Sequence, residues 1–99
     1  MNMNEDMKVV EKFLTEGKEY IDKGDAIQAS EKLYKAIEEC IKLLAENEKL
    51  AEYEESQREG RWWSKLLARS ASTLSTGLRR KEIEDAWARA FNLHVWGFH

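Results

Sequence analysis

Proline is absent from the sequence, and five of its 99 residues are glycine. Because proline interrupts helices, a chain without it has few forced breaks and suits long helices. Valine occurs only at Val9, Val10 and Val95, whereas Ala, Leu, Glu, Lys and Arg dominate. These are the residues that favour helix over strand. The composition therefore predicts an all-α fold.

The single cysteine, Cys40, excludes an internal disulfide and a cysteine-rich zinc cage. It falls on an apolar helical stripe, so we interpret it as a buried, unreactive thiol. The sequence contains no glycine-rich phosphate loop and no HExxH motif, and its two histidines are not spaced to chelate a metal on a helix. We expect neither a cofactor nor a metal site.

The amino-terminal stretch, residues 1–8, is polar and acidic. It lacks the basic and then apolar pattern of a secretory signal peptide. No apolar run approaches the length of about 20 residues that crosses a bilayer. We therefore expect a cytoplasmic protein without a membrane partner.

The net charge of −3 is distributed unevenly between the two halves of the chain. Residues 1–60 contain nine Lys and Arg against sixteen Asp and Glu, whereas residues 61–99 contain seven against three. One interpretation is that one half packs on the other, or on a neighbouring subunit; the alternative is a carboxyl-terminal half that faces an anion. We favour the first.

Apolar residues recur at helical spacing in four stretches of the chain. The pattern predicts one domain, residues 1–99, folded as an antiparallel bundle of about four helices. It comprises a helical hairpin at 4–47, a charged, solvated connector at 48–60, and helices at 61–76 and 81–95. Gly24 is expected to end the first helix, and Asp25 to cap the second with Gln28 completing a capping box. Gly77 and Gly97 are expected to end the last two.

The hairpin resembles a single tetratricopeptide repeat at five spaced positions, Gly17, Tyr20, Ala29, Leu33 and Ala36. That pattern describes two helices packed closely at small residues and separated by large ones. The resemblance implies a peptide-binding hairpin, with a groove along Tyr20, Leu33 and Tyr34. Residues 61–99 contain no second copy, which argues against a repeat array.

A second resemblance covers more of the chain. Gly24-Asp25, the run from Gln28 to Ala36 and the ending from Leu93 to His99 are similar to the archaeal PaREP family. This family is grouped with the HEPN superfamily, whose members are helical bundles that are often dimeric. Several of them bind or cleave RNA, or pair with nucleotidyltransferases. The resemblance thus implies a HEPN-like bundle, a homodimer, and either RNA or a nucleotidyltransferase as a partner.

HEPN nucleases carry an arginine, a polar residue soon after it, and a histidine four to six residues further on. Arg89, Asn92 and His94 are the corresponding candidates for a metal-independent endoribonuclease, although Ala90 departs from the pattern. His94 would act as acid or base, and Arg89 would bind phosphate. A regular helix places Arg89 and His94 about 140° apart, so we favour His94 as a packed, hydrogen-bonded core residue.

A second set of candidates could contact nucleic acid. Arg61, Lys65 and Arg69 follow i, i+4 spacing next to Trp62, and such basic and aromatic neighbours can bind a nucleic-acid backbone and stack a base. The alternative, which we favour, is a solvated helix face paired with the acidic half of the chain.

Four tryptophans are more than one modest core needs, and surplus aromatics often occur at interfaces. Our first hypothesis for function is accordingly a non-catalytic helical interaction module that forms a homodimer. The second is a HEPN-type protein that binds or cleaves RNA, and the third is a tetratricopeptide-like peptide binder.

Overall fold

The computed structural model of the protein describes residues 3–95, with side chains from residue 7 onward. It contains five α-helices and, within that range, no β-strand: α1 (Met3–Asp22), α2 (Ala26–Asn47), α3 (Ala51–Glu59), α4 (Ser64–Leu78) and α5 (Lys81–Val95). The all-α prediction is confirmed. The predicted helix end at Gly97 lies outside the described residues. None of the described helices has the length and apolar character that crossing a membrane requires.

The turn between α1 and α2 forms where glycine and aspartate predict it. Gly24 adopts a left-handed backbone with φ of 76°, which glycine tolerates without steric cost. Asp25 then caps α2, because its Oδ1 accepts a hydrogen bond from the Gln28 amide at 3.0 Å. The Asp25 amide itself donates to the Tyr20 carbonyl at 2.8 Å. The sharp reversal makes α1 and α2 an antiparallel hairpin.

The hairpin is closely packed at Gly17, in the middle of α1. A β-carbon at this position would lie 2.9 Å from Leu33 Cδ2, so the missing side chain lets the two helices approach. Val10 is also buried along this contact. Among the described residues, α1 contacts α2 and no other helix. The two flanks of α1 therefore stay open.

The prediction of a solvated connector at 48–60 is wrong, because α3 occupies most of that stretch. This short helix packs on α2 and α4 through polar side chains: Glu52 and Ser56 are 7% and 2% exposed. Glu52 Oε2 accepts a hydrogen bond from Thr73 Oγ1 of α4 at 2.7 Å. Because the buried positions hold Glu and Ser, an apolar periodicity does not reveal this helix. The described part of the chain therefore has five helices, where the sequence predicts about four.

The predicted bounds of α4, 61–76, are shifted by two to three residues. The helix starts at Ser64, after an extended Trp63, and it continues through Gly77 to Leu78. Arg79, with φ of 55°, ends it in place of Gly77. The Arg80 amide donates to the Ser75 carbonyl, and Ser75 Oγ donates to the Arg80 carbonyl at 2.8 Å. These two bonds hold the left-handed arginine. Helix α5 begins at Lys81, where the sequence predicts it, and it is described as far as Val95.

The main core lies where α2, α4 and α5 meet. Its buried members are Tyr34 and Ile41 from α2, Leu67, Ala71 and Leu74 from α4, and Trp87 and Ala90 from α5. Trp87 stacks on Phe91 with ring centroids 5.5 Å apart. The carboxyl-terminal part of α5 consequently lies against the amino-terminal half of α2, and this contact brings His94 to Tyr34.

Candidate functional site

His94 lies in the last turn of α5, at the edge of the core. Its ring stacks on Tyr34, with centroids 4.1 Å apart and planes within 8° of parallel. Its Nδ1 is 3.0 Å from Glu31 Oε1. The side chain is nevertheless 38% exposed. His94 is thus packed and hydrogen-bonded, as the sequence predicts, but it is half-exposed at the surface and not enclosed in the core.

Tyr34 is the aromatic residue on which the imidazole of His94 stacks. It is 8% exposed and also contacts Trp87, with ring centroids 5.6 Å apart. Burial raises the pKa of Tyr34 above its ordinary value, with a further contribution from Glu38, while a hydrogen bond with Ser64 acts in the opposite direction. The buried ring of Tyr34 is therefore uncharged at neutral pH, and the imidazole of His94 stacks on its face. Because its ring is buried here, it cannot line the open peptide groove that a tetratricopeptide-like binder would need.

Arg89 and Asn92 lie on a different side of α5 from His94. The helix is regular through Val95, so Arg89 is about 140° and Asn92 about 160° from His94 around its axis. Arg89 is exposed and borders a shallow concavity of about 290 Å³ with Glu82, Asp85 and Ala86. Within one chain the structure brings Arg89 and Asn92 to one side and keeps His94 apart from both.

The basic candidates near Trp62 do not form one continuous stripe. Arg61 precedes α4, and its guanidinium lies 4.6 Å from the centroid of the Trp63 ring. Trp62 packs partly buried against the core, whereas Lys65 is exposed on α4. Arg69 Nη1 is 3.1 Å from Glu55 Oε2 on α3. Arg69 therefore pairs with the acidic half of the chain, as the alternative interpretation expects.

Metal ligands are not clustered in the described part of the chain. No group of three His, Cys, Asp or Glu side chains there has an arrangement that could hold an ion. His94 and Glu31 together provide two such side chains, which is fewer than a protein metal site normally uses.

An unpredicted feature is a set of apolar side chains on one side of the molecule that are partly accessible, apart from the buried Ile41 beneath them. A groove of about 430 Å³ lies between α2 and α5 and reaches the end of α4. We call its apolar lining the open apolar face; its members are Ile37, Cys40, Ile41, Leu44, Leu78, Ile83 and Ala86. Half-burial raises the pKa of the Cys40 thiol. Helical periodicity predicts that these residues face inward, but it does not show that none of the described helices covers them.

A second groove, of about 370 Å³, lies on the other side of α2, toward α3. Its apolar lining comes from Val9, Leu43, Tyr53 and Trp62, and its charged lining from Glu39, Lys42 and Glu46. Lys42 Nζ lies 3.2 Å from Glu38 and 3.5 Å from Glu39. Because Lys42 is paired, the net charge of this groove is negative, in contrast to the open apolar face, and we call it the acidic groove.

Comparisons with known proteins identify the family of this chain. A family model described as the archaeal PaREP1/PaREP8 family matches residues 5–99. The chain belongs to this family. The crystal structure of a protein from Sulfolobus solfataricus is similar to it, with 40% sequence identity and a TM-score of 0.81. The match covers 92% of this chain and 74% of that one. Among proteins with curated functions, none matches the chain.

Membership of the PaREP family confirms the resemblance drawn from the hairpin and the carboxyl-terminal block. The match extends through almost the whole chain, so all five described helices belong to the family domain. The family is uncharacterised in function. Its placement among HEPN proteins, the homodimer and the RNA partner stay predictions.

Proposed function

We propose that this PaREP-family protein is a helical interaction module that associates with a second copy of itself. The observation that carries the proposal is the exposure of large apolar side chains in the single chain. Leu14, Ile21 and Leu93 are 41%, 57% and 48% exposed, and the open apolar face adds a groove lined by further apolar side chains. Single exposed apolar residues are normal, but a contiguous apolar area rimmed by charge is typical of an interface.

The charge distribution supports a partner of the same sequence. The acidic first 60 residues and the basic remainder meet inside one chain at the Arg69–Glu55 pair. Arg79, Arg80 and Lys81 are all exposed at the turn between α4 and α5. A second copy would offer them an acidic surface, and complementary charge favours such an encounter.

Sedimentation equilibrium over a range of micromolar concentrations tests the proposal. We expect a reversible monomer–dimer equilibrium whose position depends on protein concentration. A monomer over the entire range would exclude self-association as the function.

The position of His94 supports a second candidate, an RNA-binding or RNA-cleaving activity. Glu31 engages Nδ1, which leaves Nε2 for a substrate, and a carboxylate that fixes a histidine tautomer is a common arrangement in general acid–base catalysis. Arg89 and Asn92 would have to come from the second copy, because the regular helix separates them from His94 in one chain. A metal-independent endoribonuclease would use the three in that way.

RNA cleavage by the wild type and by His94→Ala, measured beside thermal melts of both, separates the two candidates. We expect no robust cleavage by the wild type, and a lower melting temperature for His94→Ala because it removes the stack and the hydrogen bond. Cleavage that disappears in His94→Ala without a loss of stability would make the nuclease the better supported function.

A further inference from the structure

We propose that the open apolar face is the contact surface between two copies of this chain, and that α1 of the second copy lies in the groove between α2 and α5. This inference rests on the proposed self-association and names the surfaces that carry it. Three features support this contact: the exposed apolar side of α1, the equal spacing of apolar residues on α1 and in the groove, and the charge at the mouth of the groove.

The two sides of α1 that flank its contact with α2 face different grooves. Val9 lines the acidic groove with Leu43, and Glu16 pairs with Lys32 at 3.8 Å, so this flank faces the α3 side of α2. Leu14 is about 140° from Val9 and about 160° from Glu16 around the helix. Leu14 and Ile21, seven residues apart, therefore lie on the opposite flank, on the same side of the hairpin as the open apolar face.

The spacing of the exposed residues on α1 matches the spacing inside the groove. Leu14 and Ile21 are separated by seven residues, which is about 10.5 Å along a helix. Ile37 and Leu44 on α2 have the same separation, and both are half-buried in the groove lining. Side chains at equal intervals on two helices can interdigitate over two turns. The groove thus accepts a helix with the apolar spacing of α1.

Charge distinguishes this groove from the acidic one. Helix α1 contains six acidic and three basic residues, so it carries a net negative charge. The mouth of the open apolar face is bordered by Arg80, with Arg79 and Lys81 next to it in the chain. Among the described residues, Glu82 is the one acidic side chain that lines the groove, and it pairs with Arg80 at 3.7 Å, so the positive charge at the mouth comes from the exposed Arg79 and Lys81. An acidic helix is attracted here and repelled by the groove with Glu39 and Glu46.

A two-fold axis would let both copies make the same helix-in-groove contact at once. In an isologous dimer the same surface patch is used on each subunit, so α1 of each copy enters the groove of the other. Every apolar contact is then made twice. The flank of α1 with Leu14, which has no partner helix within its own described chain, becomes buried together with the groove.

Matched variants on the two flanks of α1 test the inference. Leu14→Glu and Val9→Glu each replace an exposed apolar side chain by a carboxylate. The two positions are similarly exposed, Leu14 at 41% and Val9 at 44%. We expect Leu14→Glu to raise the dimer dissociation constant at least about tenfold, because a charge is buried at each symmetric contact. Val9→Glu should leave it unchanged. Circular dichroism of both variants serves as the control that they are folded.

The single cysteine gives a second, chemical measurement of the same contact. Cys40 lines the groove, so association should slow its alkylation by N-ethylmaleimide as the concentration of wild-type protein rises. In Leu14→Glu the alkylation rate should not depend on concentration. If the wild type dimerises but Leu14→Glu dimerises equally well, or Cys40 is not protected, the surface is wrong while self-association stands. If the wild type is a monomer throughout, both proposals fail.

Discussion

The imidazole of His94 and the phenol ring of Tyr34 are stacked nearly parallel, at a centroid distance of 4.1 Å, across the contact between α5 and α2. The two residues are 60 positions apart in the sequence, and the tertiary fold alone brings them together. The stack fixes the plane of a half-exposed histidine, and the contact between Nδ1 and Glu31 fixes one of its two nitrogens. His94 thereby joins the last turn of α5 to the bundle.

His94→Ala should lower the free energy of unfolding by about 1 kcal/mol, because it removes an aromatic pair and a partly exposed contact with Glu31. Asn92→Ala is the matched control, since Asn92 is exposed on the other side of the same helix. Urea unfolding followed by circular dichroism measures both. Equal stability of the two variants would show that the stack contributes nothing to the fold.

Thr73→Val should lower the free energy of unfolding by about 1 to 3 kcal/mol, because the buried Glu52 carboxylate would lose the hydroxyl that donates to it. Thr76→Val, at an exposed position on the same helix, should change it by less than about 0.5 kcal/mol. The same urea titration compares them. If both variants unfold at the wild-type midpoint, α3 is not held by this bond.

Gly77→Ala should stabilise the protein by roughly 0.5 to 1 kcal/mol, because Gly77 is helical and no atom lies within 4 Å of an added β-carbon. Gly17→Ala gains the same helix propensity but places its β-carbon 2.9 Å from Leu33 Cδ2, so the hairpin must shift. We expect Gly17→Ala to be the less stable of the two in a thermal melt. The reverse order would refute close packing at Gly17.

Alkaline pH should destabilise the fold through Tyr34 and Cys40. Burial raises both pKa values above their ordinary values of 10.0 and 9.0, so the unfolded chain loses these protons first. The stability from both groups is complete below the lower ordinary value and is lost as the pH rises. Urea unfolding between about pH 8 and pH 11 should show the decline, and Tyr34→Phe with Cys40→Ala should make it shallower. An unchanged slope in the double variant would contradict this assignment.

The local features of the chain are the ones that its sequence determined. The turn at Gly24 and Asp25 depends on a residue that accepts positive φ and a carboxylate that caps an amide three residues later. The start of α5 follows from apolar residues at helical spacing, and the small residue at Gly17 predicts a close helix contact. The turn, the cap and the helix start act over a few residues, and Gly17 meets Leu33 on the adjacent helix of the same hairpin, so neighbours in the sequence are sufficient to predict them.

The tertiary structure decided what distant residues do to one another. Helix α3 packs on α4 with a hydrogen bond between Glu52 and Thr73, a contact that no periodicity within residues 51–59 reveals. His94 is half-exposed and not enclosed because α2 presents Tyr34 and Glu31 at the bundle's edge, while Arg89 stays on another side of a regular helix. The open apolar face is likewise a property of the assembled bundle, since apolar spacing marks a side chain for burial but does not say which surface, in this chain or a second one, will bury it.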